Sequence, residues 1–198
     1  MQAGGGRGGR SGEAPSYHWR RITLESLPVL LGAVVIGVGS GQLLVAFEDR
    51  LAAVPVLLAL VPAVNGIGGN VGSVLGSRVA SGLHFGSLLS NRARGFRRDV
   101  TASLLLTLVV FTFLGLVAGL LGPWLGLDVP VHVGRLAAAT LLAGLGLMVV
   151  MILLVIVVGW ASYRRGWDPD NVVVPVLTTA GDTLGILFLL AAAAVVEI

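Results

Sequence analysis

NVVVPVLTTAGDTLGILFLLAAAAVV, Asn171 to Val196, decides the fold: it is one long apolar stretch that carries a single acid, Asp182, about halfway along. A bilayer core of roughly 30 Å takes about 20 helical residues, so the stretch is long enough to span it. A charge at that depth costs roughly 3 kcal/mol even on lenient insertion scales, which makes an ionisable residue there the mark of a functional site. No other acid lies so deep in the remaining apolar stretches.

Four further windows have the same character: Leu27 to Phe47, Ala52 to Gly76, Val100 to Leu121 and Leu136 to Val158. With 56% hydrophobic and 12% charged residues, the chain has too little polar surface for a soluble globule. The expectation is an all-α polytopic membrane protein of five transmembrane helices. A Gly/Arg-rich leader, MQAGGGRGGRSGEAPS and on to residue 22, has too few apolar residues to fold and is expected to be disordered. It has no apolar core of its own, so no cleaved signal peptide is expected. All thirteen basic residues are arginine. Arg7, Arg10, Arg20, Arg21, Arg78, Arg92, Arg94, Arg97, Arg98, Arg164 and Arg165 fall on one side of the five-span arrangement, and Arg50 and Arg135 on the other. This bias predicts a cytoplasmic N-terminus and an outside C-terminus, and it reads as topology rather than nucleic-acid binding. Without cysteine, thiolate metal sites and disulfides are excluded. His18, His84 and His132 are spread over the leader and both sides, so they cannot share one metal.

The second window holds PAVNGIGGNVGS, Pro62 to Ser73, where four glycines and two asparagines are expected to interrupt the helix. Such interruptions are tolerated in lipid only where protein or water re-satisfies the backbone, which favours a helix facing an interior path. Pro62 cannot donate to the carbonyl of Leu58, and Asn65 and Asn70 add amide oxygens for water or cation contacts. The competing reading is close helix packing on small residues. The segment GIGGN lacks the GK[ST] ending of a phosphate loop. In the last window, DPDNVVVPVLTTAGDTLG, Asp168 to Gly185, starts with an N-cap and first-turn proline, Asp168 and Pro169. Pro175 frees the carbonyl of Asn171. Thr178 lies one turn before Asp182 and shares its face, so the two are expected to look into the same space.

Together, PAVNGIGGNVGS and DPDN with PVLTTAGD resemble the MgtE-type magnesium transporter membrane domain, and GN followed by Leu75, Gly76, Ser77 and Arg78 is similar to solute carrier family 41. The resemblance covers about Leu24 to Val196, so 23–198 is read as one MgtE-like transmembrane domain. It implies a homodimer with a cation pore on its axis, Asp182 as the magnesium-binding aspartate, and Asn70 in the GGN element beside the same path. Two departures stand out. Val74 occupies the position where these proteins often carry glutamine, and the sequence before Leu27 has no room for the family's cytoplasmic N-domain and paired CBS domains. Regulation is therefore expected from elsewhere, a separate regulatory subunit included.

Magnesium prefers six oxygens and gives up water reluctantly, so one acid per chain is too little to strip it. Two-fold symmetry would pair Asp182 with its copy around a hydrated ion. Thr178, Thr179, Asn65, Asn70 and the backbone at Gly69 and Gly181 would then hold the waters. Manganese, cobalt or nickel would fit the same donors. Protons would compete with the cation for the paired carboxylates. The expected function is magnesium transport across the plasma membrane, driven by about 4.6 kcal/mol per 100 mV for a divalent ion. The alternatives are an ion-coupled exchanger and a non-transporting membrane assembly subunit. An intramembrane aspartyl protease is excluded because Thr179 stands where its motif needs glycine and no second deep aspartate exists, so no enzyme is expected.

Overall fold

The computed structural model describes residues 19–84, 93–127 and 129–198. Most of the expected leader, Met1 to His18 with Arg7 and Arg10, lies outside the described residues, as does Arg92. The elements are α1 (Trp19–Ala46), α2 (Glu48–Ala52), α3 (Pro55–His84), α4 (Ala93–Leu121), a 3-10 turn (Pro123–Leu125), α5 (Val133–Arg164) and α6 (Pro169–Val195). Among the described residues there is no strand. Five helices are long and apolar enough to cross a membrane: Ile22–Ala46, Pro55–Gly82, Gly95–Leu121, Val133–Arg164 and Pro169–Val195. The all-α, five-span class expected from the sequence is therefore the fold observed. Helix α1 already begins at Trp19, within the stretch expected to be disordered, and α3 runs on past Gly76.

The N-terminus of α6 forms as its sequence dictates. Asp168 caps it by accepting a hydrogen bond from the Asp170 N–H at 3.0 Å, and Pro169, with no N–H to lose, occupies the first turn. His132 does the same for α5, its Nδ1 accepting from the Gly134 N–H at 3.2 Å.

Helix α6 is the centre of the bundle, packed on α3, α5 and α1, while α4 lies across α5 and α3. Helix α1 rests chiefly on α6, and none of its most apolar window is buried. Lipid tails are as apolar as leucine, so no hydrophobic force drives that helix inward. Large exposed apolar residues such as Val35, Val109, Phe113, Leu153 and Val157 face outward, as a lipid-facing surface requires. Trp19, Trp160, Tyr163 and Trp167 gather at one end of the bundle and Trp124 at the other, where amphipathic rings favour the membrane interface. The Arg164 guanidinium lies 4.2 Å from the Trp160 ring centroid.

One expectation is overturned. Helix α3 is continuous through Pro62 and all four glycines of the motif, not interrupted. At two of them the missing side chain makes room for a neighbour: a Cβ on Gly68 would strike Leu147, and one on Gly72 would lie 3.0 Å from the Met151 sulfur. Gly68 and Gly72 serve close packing, as the competing reading expected, while Gly66 lies exposed with nothing within 4 Å of a Cβ.

Candidate cation site

Helices α3 and α6 cross at Gly69 and Gly181. A Cβ on Gly181 would stand 2.6 Å from both Cα and N of Gly69, backbone atoms that cannot swing away. One turn on, a Cβ on Gly185 would collide with the Asn65 side-chain oxygen. The crossing therefore requires glycine at both α6 positions, and it brings the Asn65 side chain against the α6 backbone.

Asp182 sits at the midpoint of α6, equidistant from Pro169 and Val195. Its backbone carbonyl accepts two side-chain hydrogen bonds, from Asn65 Nδ2 at 2.8 Å and from Ser40 Oγ at 3.1 Å. Three helices thus meet at one carbonyl. The carboxylate itself is exposed, and among the described residues no hydrogen bond or ion pair reaches it. It opens onto a cavity of ≈ 500 Å³ between α1, α3 and α6, whose wall includes Gly37, Ser40, Pro62, Asn65 and Gly66. An unpaired charge at membrane depth needs water or a cation to offset its desolvation.

Of the residues singled out from sequence, the fold brings Asn65 and Asp182 together. Thr178 does not join them in this cavity. It is half-buried against Gly69, and its hydroxyl donates to the Val174 carbonyl at 2.6 Å. Thr179 donates to the Pro175 carbonyl at 2.9 Å and lines a separate apolar cavity between α1 and α6. Gly69 and Gly181 are buried in the crossing. Asn70 is exposed on α3, one turn past Gly66 and on the same exposed face. Asn65 keeps one further polar atom, Oδ1, buried without a partner beside Gly185.

Two polar residues of α1 that bond to α6 were not legible in the sequence. Ser40, buried to 8% exposure, sat unnoticed in the small-residue run Gly37 to Gly41, because a serine in a membrane helix carries no signal until its partner is known. Glu25, also 8% exposed, is an acid more deeply buried than Asp182, which is exposed. It lies just outside the apolar window that began at Leu27, whereas the helix and the apolar span extend beyond it. Its Oε2 accepts from the Asp168 N–H at 2.9 Å and from Asn171 Nδ2 at 3.0 Å. Among the described residues, no group of three or more His, Asp or Glu could hold a metal within one chain.

The family model MgtE, described as a divalent cation transporter, matches residues 61–192, from α3 through α6. No curated protein and no solved structure matches the chain.

Proposed function

The chain belongs to the MgtE family of divalent cation transporters, and from that premise we propose that it carries magnesium through a pore on a homodimer axis, with the ion held by Asp182 and its copy in the second chain. The observation that carries this reading is the unpaired Asp182 carboxylate at the midpoint of a membrane-spanning helix. One carboxylate cannot replace the water shell of magnesium, and two facing ones supply a charge equal and opposite to that of the ion.

The cation keeps most of its water. Six waters at ~30 Å³ each take up about 180 Å³, which the ≈ 500 Å³ cavity beside Asp182 accommodates. Asn70, on the exposed face of α3, offers its amide oxygen to those waters, whereas Asn65 acts by holding the Asp182 carbonyl, and Thr178 and Thr179 by bonding back to α6 carbonyls behind the site. Gly69 and Gly181 contribute by letting the two helices come close. The exposed face of α3, Pro62, Gly66, Asn70 and Val74 at four-residue spacing, is the surface turned to the axis. Manganese, cobalt and nickel suit the same oxygen donors.

The protein lies in the plasma membrane with the arginine-rich end in the cytoplasm, and the membrane potential drives the cation inward. It performs no chemistry on its substrate. Magnesium flux into liposomes, measured with and without a membrane potential and a sodium gradient, tests the reading. Parent protein should move magnesium with the potential, and Asp182→Asn should not. Equal flux in the two would overturn the assignment, and flux that follows the sodium gradient would make the protein an exchanger.

A further inference from the structure

We propose that α1 is a positioning strap for Asp182: Glu25 and Ser40 fasten it to α6 on either side of Pro175, and so fix the height and rotation at which the carboxylate meets the cation. The inference rests on the reading of Asp182 as the cation ligand. It concerns a helix that lies outside the matched residues 61–192.

What holds α1 in place is polar. None of the apolar residues described in it is buried, and packing against α6 gains little over packing against lipid. Among the described residues, two groups of α1 bond to α6, both nearly buried. Glu25 Oε2 takes the Asp168 N–H and Asn171 Nδ2, at the first turn of α6. Ser40 Oγ donates to the Asp182 carbonyl at 3.1 Å. Between these points both helices line an apolar cavity of ≈ 460 Å³, with Gly32 and Ala33 from α1 and Thr179 and Thr183 from α6. The hydrogen bonds that join α1 to α6 thus lie on either side of this cavity.

The segment of α6 between the fasteners lacks one helical hydrogen bond. Pro175 has no N–H for the Asn171 carbonyl, and the Thr178 and Thr179 hydroxyls bond back to the Val174 and Pro175 carbonyls, a pattern that bends helices. Helices hinge at such points. Glu25 holds the part before the hinge and Ser40 the part after it. Asn65 of α3 also holds the Asp182 carbonyl, so losing one fastener on α1 shifts the carboxylate rather than releasing it.

Initial magnesium flux into proteoliposomes, followed over magnesium concentration, tests the strap in parent protein, Glu25→Ala, Glu25→Gln, Ser40→Ala, Ser40→Thr and Asp182→Asn. The alanine variants should raise the half-saturating magnesium concentration about threefold to tenfold, with a smaller change in maximal flux. Glu25→Gln should restore it, because one amide oxygen accepts both bonds that now converge on Oε2. Ser40→Thr should restore it by keeping the hydroxyl. An unchanged half-saturating concentration in both alanine variants, failure of the conservative variants to restore it, or loss of maximal flux alone in proportion to folded protein would overturn the strap. If Glu25→Ala does not fold, Asn171→Ala removes one of its two bonds and carries the same expectation and the same refutation. Asp182→Asn separates the two levels: if it transports like the parent, the cation site is wrong, whereas if it is inactive and both alanine variants match the parent, only the strap is wrong.

Discussion

The Asn65 side-chain amide donates to the backbone carbonyl of Asp182 across 2.8 Å, so α3 holds the backbone of the acid while leaving its carboxylate free. That division of labour lets a helix carry a fixed but unneutralised charge. Held only by packing, the same residue could rotate toward lipid or find a hydrogen-bond partner, and either would remove it from a path for ions.

Replacing Asn65 by alanine should therefore harm transport more than stability. An interhelical side-chain hydrogen bond in a membrane protein contributes about 0.6 kcal/mol on average, and Ser40 still holds the Asp182 carbonyl. Thermal unfolding in detergent should shift little, while magnesium flux falls severalfold. A large loss of stability with flux per folded molecule unchanged would count against this role.

Asp182→Asn should lose magnesium dependence and keep its fold. Removing an unpaired charge from membrane depth lowers a cost of roughly 3 kcal/mol, so the variant in magnesium-free buffer should be at least as stable as the parent. Saturating magnesium should stabilise the parent by about 2.7 kcal/mol at a hundred times the dissociation constant, and the variant not at all. Thermal unfolding with and without magnesium reads both effects.

Two glycines of similar appearance should behave in opposite ways. Gly181→Ala places a Cβ 2.6 Å from the Gly69 backbone and forces α3 and α6 apart, which should cost roughly 1–3 kcal/mol of stability. Gly66→Ala meets nothing within 4 Å, so the single chain should fold normally. Its effect should appear in flux, because Gly66 lines the cavity beside Asp182. Comparing unfolding temperature and flux for the two variants separates packing from path.

A homodimer axis along the exposed face of α3 can be tested directly, since the chain contains no cysteine. Asn70→Cys in membranes should form a disulfide-linked dimer under mild oxidation, whereas Val109→Cys on the outward face of α4 should not. The reverse pattern on a denaturing gel would move the axis elsewhere.

Protons and the cation compete for the same paired carboxylates, so flux should fall from neutral to mildly acidic pH and recover when magnesium is raised. Each proton bound removes one of two charges facing the ion. Flux that is flat over that range, or a loss that extra magnesium does not reverse, would speak against two facing Asp182 side chains.

The spans were legible in the sequence because transfer into lipid depends on composition and length, and both are local. The depth of Asp182 followed from the same count, and the family motifs supplied its expected task. The capping of α6 by Asp168 was legible too, since a cap reaches only to the Asp170 N–H. The course of α3 through its glycines was not, because a glycine motif reads alike whether it breaks a helix or admits a neighbour such as Leu147 or Met151.

Sequence alone therefore determined that this chain fills a membrane with five helices and sets one acid at the middle of the last. Tertiary structure decided how that acid is held: Asn65 and Ser40 reach its carbonyl from 117 and 142 residues away, and Glu25 reaches the start of its helix from 143. Burial in lipid is a property each residue carries with it, whereas a hydrogen bond requires two groups within about 3 Å, a distance set by how the glycines at the α3–α6 crossing let the helices meet.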